Sequence, residues 1–259
     1  MTDFSDDQRA VLDAVRCWYA DPARREFYLA GYAGTGKTTI AAHLIRTLGA
    51  RVCVATYTGK AASVLRAKGI GQASTIHSLI YERVPGTEPP RWTRALGSPL
   101  AGADLLVADE ISMVPDFIAD DLRSYGTKIL VLGDPGQLPP IHGAGAFTRR
   151  EPDAMLTEIH RQAAGSPILA LATRARRGEK LVADGDAVRI EKLTTEAVRE
   201  ARGQVICGTH RSRWRATALL REAAGFVGTI PTPSVGERVI CRRNDRELGI
   251  YNGMLGVVE

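Results

Sequence analysis

The sequence predicts an α/β fold, a parallel sheet with helices on both faces, and three observations predict it. Short apolar runs of strand length recur at residues 26–30, 52–56, 104–109 and 128–133, each followed by helix-compatible or loop sequence. Runs that are apolar at nearly every position suit strands covered on both faces, as in parallel sheets. A glycine-rich loop links the first run to a helical stretch. Apolar residues make up 44% and charged residues 24% of the 259 positions, ordinary values that exclude disorder, collagen-like repeats and a disulfide scaffold. At roughly 100 to 200 residues per domain, the length allows one large domain or two small ones.

The run at 26–30 leads into Gly31-Tyr32-Ala33-Gly34-Thr35-Gly36-Lys37-Thr38, which matches G-x-x-x-x-G-K-[ST] and opens a helix to about residue 48. Average residue frequencies produce this pattern in on the order of one chain in a hundred; the strand before it and the helix after it make it specific. Such a loop aims backbone N–H groups at a polyphosphate and adds the positive end of a helix. The residues expected to cradle ATP are Gly31, Gly34, Thr35, Gly36, Lys37, Thr38 and Thr39. Lys37 balances the β/γ charge, and the Thr38 hydroxyl ligates Mg²⁺.

The run at 52–56 is the second strand, followed by Thr56-Tyr57-Thr58-Gly59-Lys60-Ala61-Ala62 and then Ser74-Thr75-Ile76-His77-Ser78-Leu79. Residues 84–103 break the rhythm with three prolines before position 91 and read as an inserted surface excursion of little periodicity. The run at 104–109 ends in Asp109-Glu110. A phosphate loop needs a carboxylate at a neighbouring strand end to hold magnesium, which Asp109 supplies, while Glu110 can orient and deprotonate an attacking water. An Asp-Glu pair at a strand end is also a common turn; the loop upstream gives it a chemical meaning. The run at 128–133 leads into Gly133-Asp134-Pro135-Gly136-Gln137-Leu138-Pro139-Pro140, at a strand edge where open α/β sheets bind ligands. Gln137 can touch a γ-phosphate and report its loss, or be the exposed residue of a Gly/Pro turn.

A second alternation begins near residue 160, with a helix over about 168–177, a strand at 205–208 and a helix over about 213–224. Charge divides in the same place. Residues 1–159 hold 17 basic and 18 acidic side chains, net −1, whereas residues 160–259 hold 17 and 11, net +6. A basic half suits a polyanion such as nucleic acid, and a solvated arginine-rich surface gives the same count. The four cysteines lie far apart without a CxxC pair, arguing against zinc or disulfides, and read as buried thiols. No uncharged apolar stretch reaches 18 residues and the N-terminus is acidic, so no membrane partner and a cytoplasmic location are expected.

These motifs, in this order, resemble superfamily 1 DNA helicases, and more closely their 5′-to-3′ RecD/Dda-like branch. The resemblance begins with Phe4-Ser5-Asp6-Asp7-Gln8 and runs through the phosphate loop, the Thr56, Ser74, Asp109 and Gly133 segments, to Leu156-Thr157-Glu158-Ile159-His160-Arg161-Gln162. It implies that Gln8 recognises adenine and that Arg161 stands in the place of a γ-phosphate arginine. It also implies two RecA-like parts: a first ATPase domain over 1–158 with an insertion at about 82–103, and a partial second domain over 159–259. The segments at 236–245 and 249–253 resemble the approach to a small β-barrel insertion, and two later family motifs do not follow, as in a fragment or a naturally shortened protein.

The expected function is an ATP-dependent helicase or translocase, favoured as a monomer, with single-stranded DNA and forked duplex as partners. The resemblance places Thr58, Lys60, Thr75 and His77 on the single strand, where hydroxyls and amines suit phosphate contacts. Trp92, between Arg91 and Arg94, can stack on a base, act as a separation wedge, or staple its loop to the domain. Two positions depart from the family: Tyr57 replaces a usual proline, altering the strand end or adding a stacking surface, and His210 replaces a usual asparagine and reads as a surface histidine. Two other classes fit less well: an ATP-switched nucleic-acid-binding or remodelling protein that does not unwind, and a small-molecule kinase, disfavoured by Glu110 and by the lack of an evident acceptor pocket.

Overall fold

A computed structural model of the chain describes residues 4–89, 91–141, 145–158, 166–183, 194–201, 203–227, 232–243, 245, 248–250 and 252–259. The chain divides into two compact units, Met1–Ala164 and Gly165–Glu259.

The first unit opens with α1 (Asp6–Ala20), started by a capping box in which Gln8 N–H donates to Ser5 Oγ and Ser5 N–H donates to Gln8 Oε1. Its buried residues Val11, Leu12, Val15 and Trp18 fall at helical spacing on one face. There follow β1 (Glu26–Gly31), α2 (Lys37–Thr47), β2 (Val52–Thr56), α3 (Gly59–Ala67), β3 (Ser74–Thr75) and α4 (Ile76–Ile80). Next come β4 (Tyr81–Arg83), β5 (Trp92–Arg94), β6 (Leu105–Asp109), α5 (Asp116–Arg123), β7 (Lys128–Gly133) and β8 (Ala154–Leu156).

Six of these strands form a parallel sheet in the order β3-β2-β6-β7-β1-β8. Strand alternation divides the apolar runs between its two faces. Phe27, Leu29, Leu105, Val107, Leu130 and Leu132 pack with α1 and α2, while Tyr28, Ala30, Leu106, Ala108, Ile129 and Val131 pack with α4 and α5. Each fully buried Leu or Ile contributes about 1.5 to 3 kcal/mol relative to exposure, so both faces hold the sheet. The register sets Ala30 beside Gly133, Ala108 beside Val131 and Thr56 beside Asp109, which brings four strand ends to one edge.

The excursion at 84–103 is more ordered than its composition suggests. β4 and β5 pair antiparallel, Arg83 opposite Trp92, and a 3₁₀ turn at Pro99–Gly102 buries Leu100 completely. The Tyr125 hydroxyl donates to the Ala95 carbonyl, tying the hairpin's return to the end of α5.

The second unit holds α6 (Pro167–Arg176), α7 (Thr195–Arg199), α8 (His210–Ala223), β9 (Arg238–Ile240) and β10 (Leu255–Val257), the last two paired antiparallel. The strand expected at 205–208 is absent: these residues are irregular and Ile206 is 85% exposed. A strand needs a neighbour for its backbone groups, and none pairs with 205–208 among the described residues. The following helix starts earlier than expected, at His210, because the Thr209 hydroxyl caps it by accepting from Ser212 N–H. His210 is an exposed residue of its first turn. Arg221 of α8 is buried against Glu237 at 2.7 Å, joining the helix to the turn before β9.

The cysteines are not all buried thiols. Cys17 is exposed, and Cys53, Cys207 and Cys241 are half-buried. Cys17 sits on α1 two residues beyond Val15, about 200° around the helix from the buried face.

Candidate nucleotide site

The phosphate loop hangs from the end of β1 on glycines that the geometry requires. A Cβ on Gly31 would lie 2.7 Å from Thr35 Oγ1, and Gly36 combines φ +92° with a Cβ position 2.5 Å from Gln8 Nε2. The buried Thr35 closes the turn by donating its hydroxyl to the Tyr32 carbonyl at 2.9 Å. Lys37 folds over the loop, its Nζ 2.5 Å from the Gly31 carbonyl and 3.0 Å from that of Tyr32. α2 begins at Lys37 with Gly36 as its cap and no side-chain acceptor on its first turn, so its leading N–H groups face the loop.

Gln8 is buried against this loop. Its Nε2 donates to the Thr35 carbonyl at 3.2 Å while its Oε1 accepts from Ser5, so both ends of the amide are engaged. The family resemblance implies that Gln8 meets the adenine; its capping box is legible in Ser5-x-x-Gln8 before an apolar helix, whereas nothing local marks its bond to Thr35, 27 positions on.

Opposite the loop, β6 ends at Asp109, 7% exposed, whose Oδ2 lies 3.4 Å from the Thr38 hydroxyl. Burial pushes the Asp109 carboxyl above the usual carboxylate range and neighbouring Glu110 adds to this, against the Glu110 N–H that it accepts, the Lys37 charge and the Thr38 hydroxyl. Glu110 is exposed and left-handed, φ +56°, unlike any other described non-glycine residue. That conformation costs about 1 to 2 kcal/mol.

At the end of β7 the buried Asp134 builds a turn, accepting from Gly136 N–H through Oδ1 and from Gln137 N–H through its carbonyl. Gln137 is exposed at that turn, and the Ser112 hydroxyl donates to its Oε1 at 3.1 Å. Ser112 was not singled out from the sequence; nothing local marks a serine as the partner of a residue 25 positions on.

One cleft of about 1460 Å³ is lined by Gln8, Gly34, Gly36, Lys37, Thr38, Thr39, Asp109, Glu110, Ser112 and Gln137. Thr58 and Lys60 line it too, with Tyr57, Arg46 and Lys68. Thr75, His77 and Trp92 are not among its lining residues. Thr58 and Thr75 prove to be N-caps, of α3 and α4, accepting from Ala61 and Ser78 N–H respectively. The His77 ring lies between those of Tyr57 and Tyr81, at centroid distances of 6.0 and 5.8 Å, and this cover lowers its pKa by desolvation. Trp92 stands 60% exposed on β5. Arg161 lies outside the described residues.

A phosphate loop, an acidic strand end facing it and a third strand-end turn, on a parallel sheet, define a P-loop nucleotide-binding α/β protein. Residues 4–225 match the AAA domain family, to which the chain belongs. It is 31% identical over 284 residues to the ATP-dependent RecD2 DNA helicase of Deinococcus radiodurans, covering 98% of this chain and 38% of that protein. It is 31% identical over 178 residues to the ATP-dependent DNA helicase Dda of phage T4, covering 61% of this chain and 40% of that protein. The chain thus spans about two-fifths of these relatives. Among solved structures it resembles a Pif1 helicase described for DNA unwinding at forked double-stranded DNA, with TM-score 0.62 and 23% identity over 99% of this chain and 71% of that one. The sheet and this likeness together give a RecA-like α/β fold, and the sequence relatives bear out the resemblance to the RecD/Dda-like branch.

Proposed function

We propose that this protein is an ATP-dependent DNA helicase or translocase that hydrolyses Mg-ATP and moves 5′ to 3′ on single-stranded DNA, acting on forked duplexes. The observation that carries the reading is the convergence of Lys37, Thr38, Asp109, Glu110 and Gln137, from the ends of three strands, on one cleft. The identity with RecD2 over 98% of the chain supports DNA as the partner.

Lys37 takes the β- and γ-phosphate charge, exchanging the loop carbonyls it touches for phosphate oxygens. The Thr38 hydroxyl and Asp109 carboxylate are hard oxygen donors side by side, and Asp109 is a buried anion whose desolvation a cation would offset. They fit Mg²⁺, which when bound offsets phosphate charge. Glu110, beside Asp109 on the same cleft, accepts a proton from the attacking water. Gln137 contacts the γ-phosphate, and Arg161 stabilises the charge that develops on it. The remaining loop residues Gly31, Gly34, Thr35, Gly36 and Thr39 hold the phosphates, and Gln8, which lines the same cleft, meets the adenine by giving up its bond to the Thr35 carbonyl.

Thr58, Lys60, Thr75 and His77 take the single strand at the sheet edge, and Trp92 on its hairpin stacks on a base or wedges the fork. Residues 1–158 form the first RecA-like domain and 159–259 belong to a second; the enzyme works as a cytoplasmic monomer. Phosphate release measured with and without single-stranded DNA tests the reading. Strong stimulation is expected. Weak stimulation indicates an ATP-switched binder, and none indicates a small-molecule kinase; either overturns the helicase reading.

A further inference from the structure

Gln137 is exposed, and a side chain of its length loses up to about 2 kcal/mol of rotamer entropy when fixed. Its backbone is already held, because its N–H and that of Gly136 both donate to the buried Asp134. What remains to be set is the amide, whose oxygen only accepts and whose nitrogen only donates. The Ser112 hydroxyl, 3.1 Å from Oε1, meets the oxygen end.

Ser112 is itself well anchored. It is 3% exposed, between the fully buried Ile111 and Val114. Its carbonyl lies 2.5 Å from where a Cβ on Gly145 would stand, so the segment after the Gln137 turn packs directly on it, and Ala146 N–H donates to the Val114 carbonyl. The serine thus sits on a short rigid loop two residues beyond Glu110, and its hydroxyl reaches across to a different strand end.

We infer that Ser112 is a positioning residue for ATP hydrolysis: by donating to Gln137 Oε1 it fixes the amide with its NH₂ turned toward the γ-phosphate position, and it couples the β6 end, with Asp109 and Glu110, to the β7 end. This rests on the role proposed for Gln137. Without the hydroxyl, the amide can rotate and present oxygen, a lone-pair acceptor, to an anionic phosphate. Ser112 touches no reacting atom, so its loss slows turnover without removing the groups that bind ATP.

The test is a double-mutant cycle on the whole protein, with kcat and KM for ATP measured under DNA stimulation for wild type, Ser112→Ala, Gln137→Ala and the double variant, and melting curves to check folding. Ser112→Ala should lower kcat about two- to tenfold, the range of one neutral hydrogen bond, with KM for ATP held within about twofold. The double variant should be no slower than Gln137→Ala alone. Losses that multiply in the double variant, or a Ser112→Ala effect confined to KM, overturn the inference. Wild-type kcat in Gln137→Ala overturns the Gln137 reading and the inference with it. Wild-type turnover in Glu110→Gln, run alongside, instead shows that the hydrolysis reading has failed.

Discussion

The Thr38 hydroxyl and the Asp109 carboxylate meet at 3.4 Å across 71 residues of chain. One stands on the first turn of α2 and the other at the end of β6, with β7 lying between β1 and β6 in the sheet. Their approach sets one hydroxyl and one carboxylate, both hard oxygen donors, side by side, the pair proposed above to hold Mg²⁺.

Asp109→Asn should separate stability from activity. Burial raises the Asp109 carboxyl above its ordinary range, so the folded state prefers the protonated form. The stability linked to this group is therefore full below the ordinary carboxylate pKa and is lost as pH rises through the folded value. The neutral amide removes that loss, so the Asn variant should melt higher than wild type at pH 7, on the order of a few degrees, and the advantage should vanish in acid. Its Mg²⁺-dependent ATP turnover should disappear. Melting curves from pH 3 to 8 would expose the error if the wild type were the more stable at neutral pH.

Lys37→Ala and Glu110→Gln should differ in kind. The first removes the main cationic partner of the polyphosphate and should abolish binding or turnover. The second keeps the shape but cannot take a proton, so ATP should bind while hydrolysis falls by about 10² to 10⁴. Loss of ATP affinity in Glu110→Gln, measured by equilibrium titration, would contradict the division of labour with Asp109.

Gly36→Ala should destabilise the fold by about 1 to 2 kcal/mol through its left-handed backbone alone, with further loss from the contact with Gln8 Nε2. Adding Gln8→Ala should recover only the contact part. Urea unfolding of the single and double variants separates the two contributions, and full recovery would mean that the backbone carries no strain.

Binding of single-stranded DNA should weaken linearly in log affinity against log salt, and Lys60→Ala should lower the slope by about 0.7, one phosphate contact on a single strand. Trp92→Ala should leave thermal stability nearly unchanged, because the ring is 60% exposed, and weaken DNA binding by about 1 to 3 kcal/mol if it stacks on a base. A salt-independent affinity would mean that the basic second half is a solvated surface.

The sequence by itself marked four of the six sheet strands, β1, β2, β6 and β7, and the phosphate-loop motif; the edge strands β3 and β8, two and three residues long, are too short to show in it. Apolar runs such as 128–133 show their length and nearly continuous apolar character locally, and Gly31 to Thr38 carries its glycines, lysine and hydroxyl within eight positions, so both are legible without knowing what lies nearby. Other features depend on partners far along the chain. The sheet order decided that Asp109 faces Thr38; packing against the phosphate loop brought the Gln8 amide nitrogen to the Thr35 carbonyl; and the approach of two strand ends joined Ser112 to Gln137. The run at 205–208 has the composition of a strand yet forms none, whereas the proline-rich 84–103 yields a hairpin strand that pairs with β4. The physical reason is the same in each case. Composition fixes what a segment can bury, but strand pairing and hydrogen-bond partnership are satisfied only by a neighbour, and the neighbour is chosen by the tertiary fold.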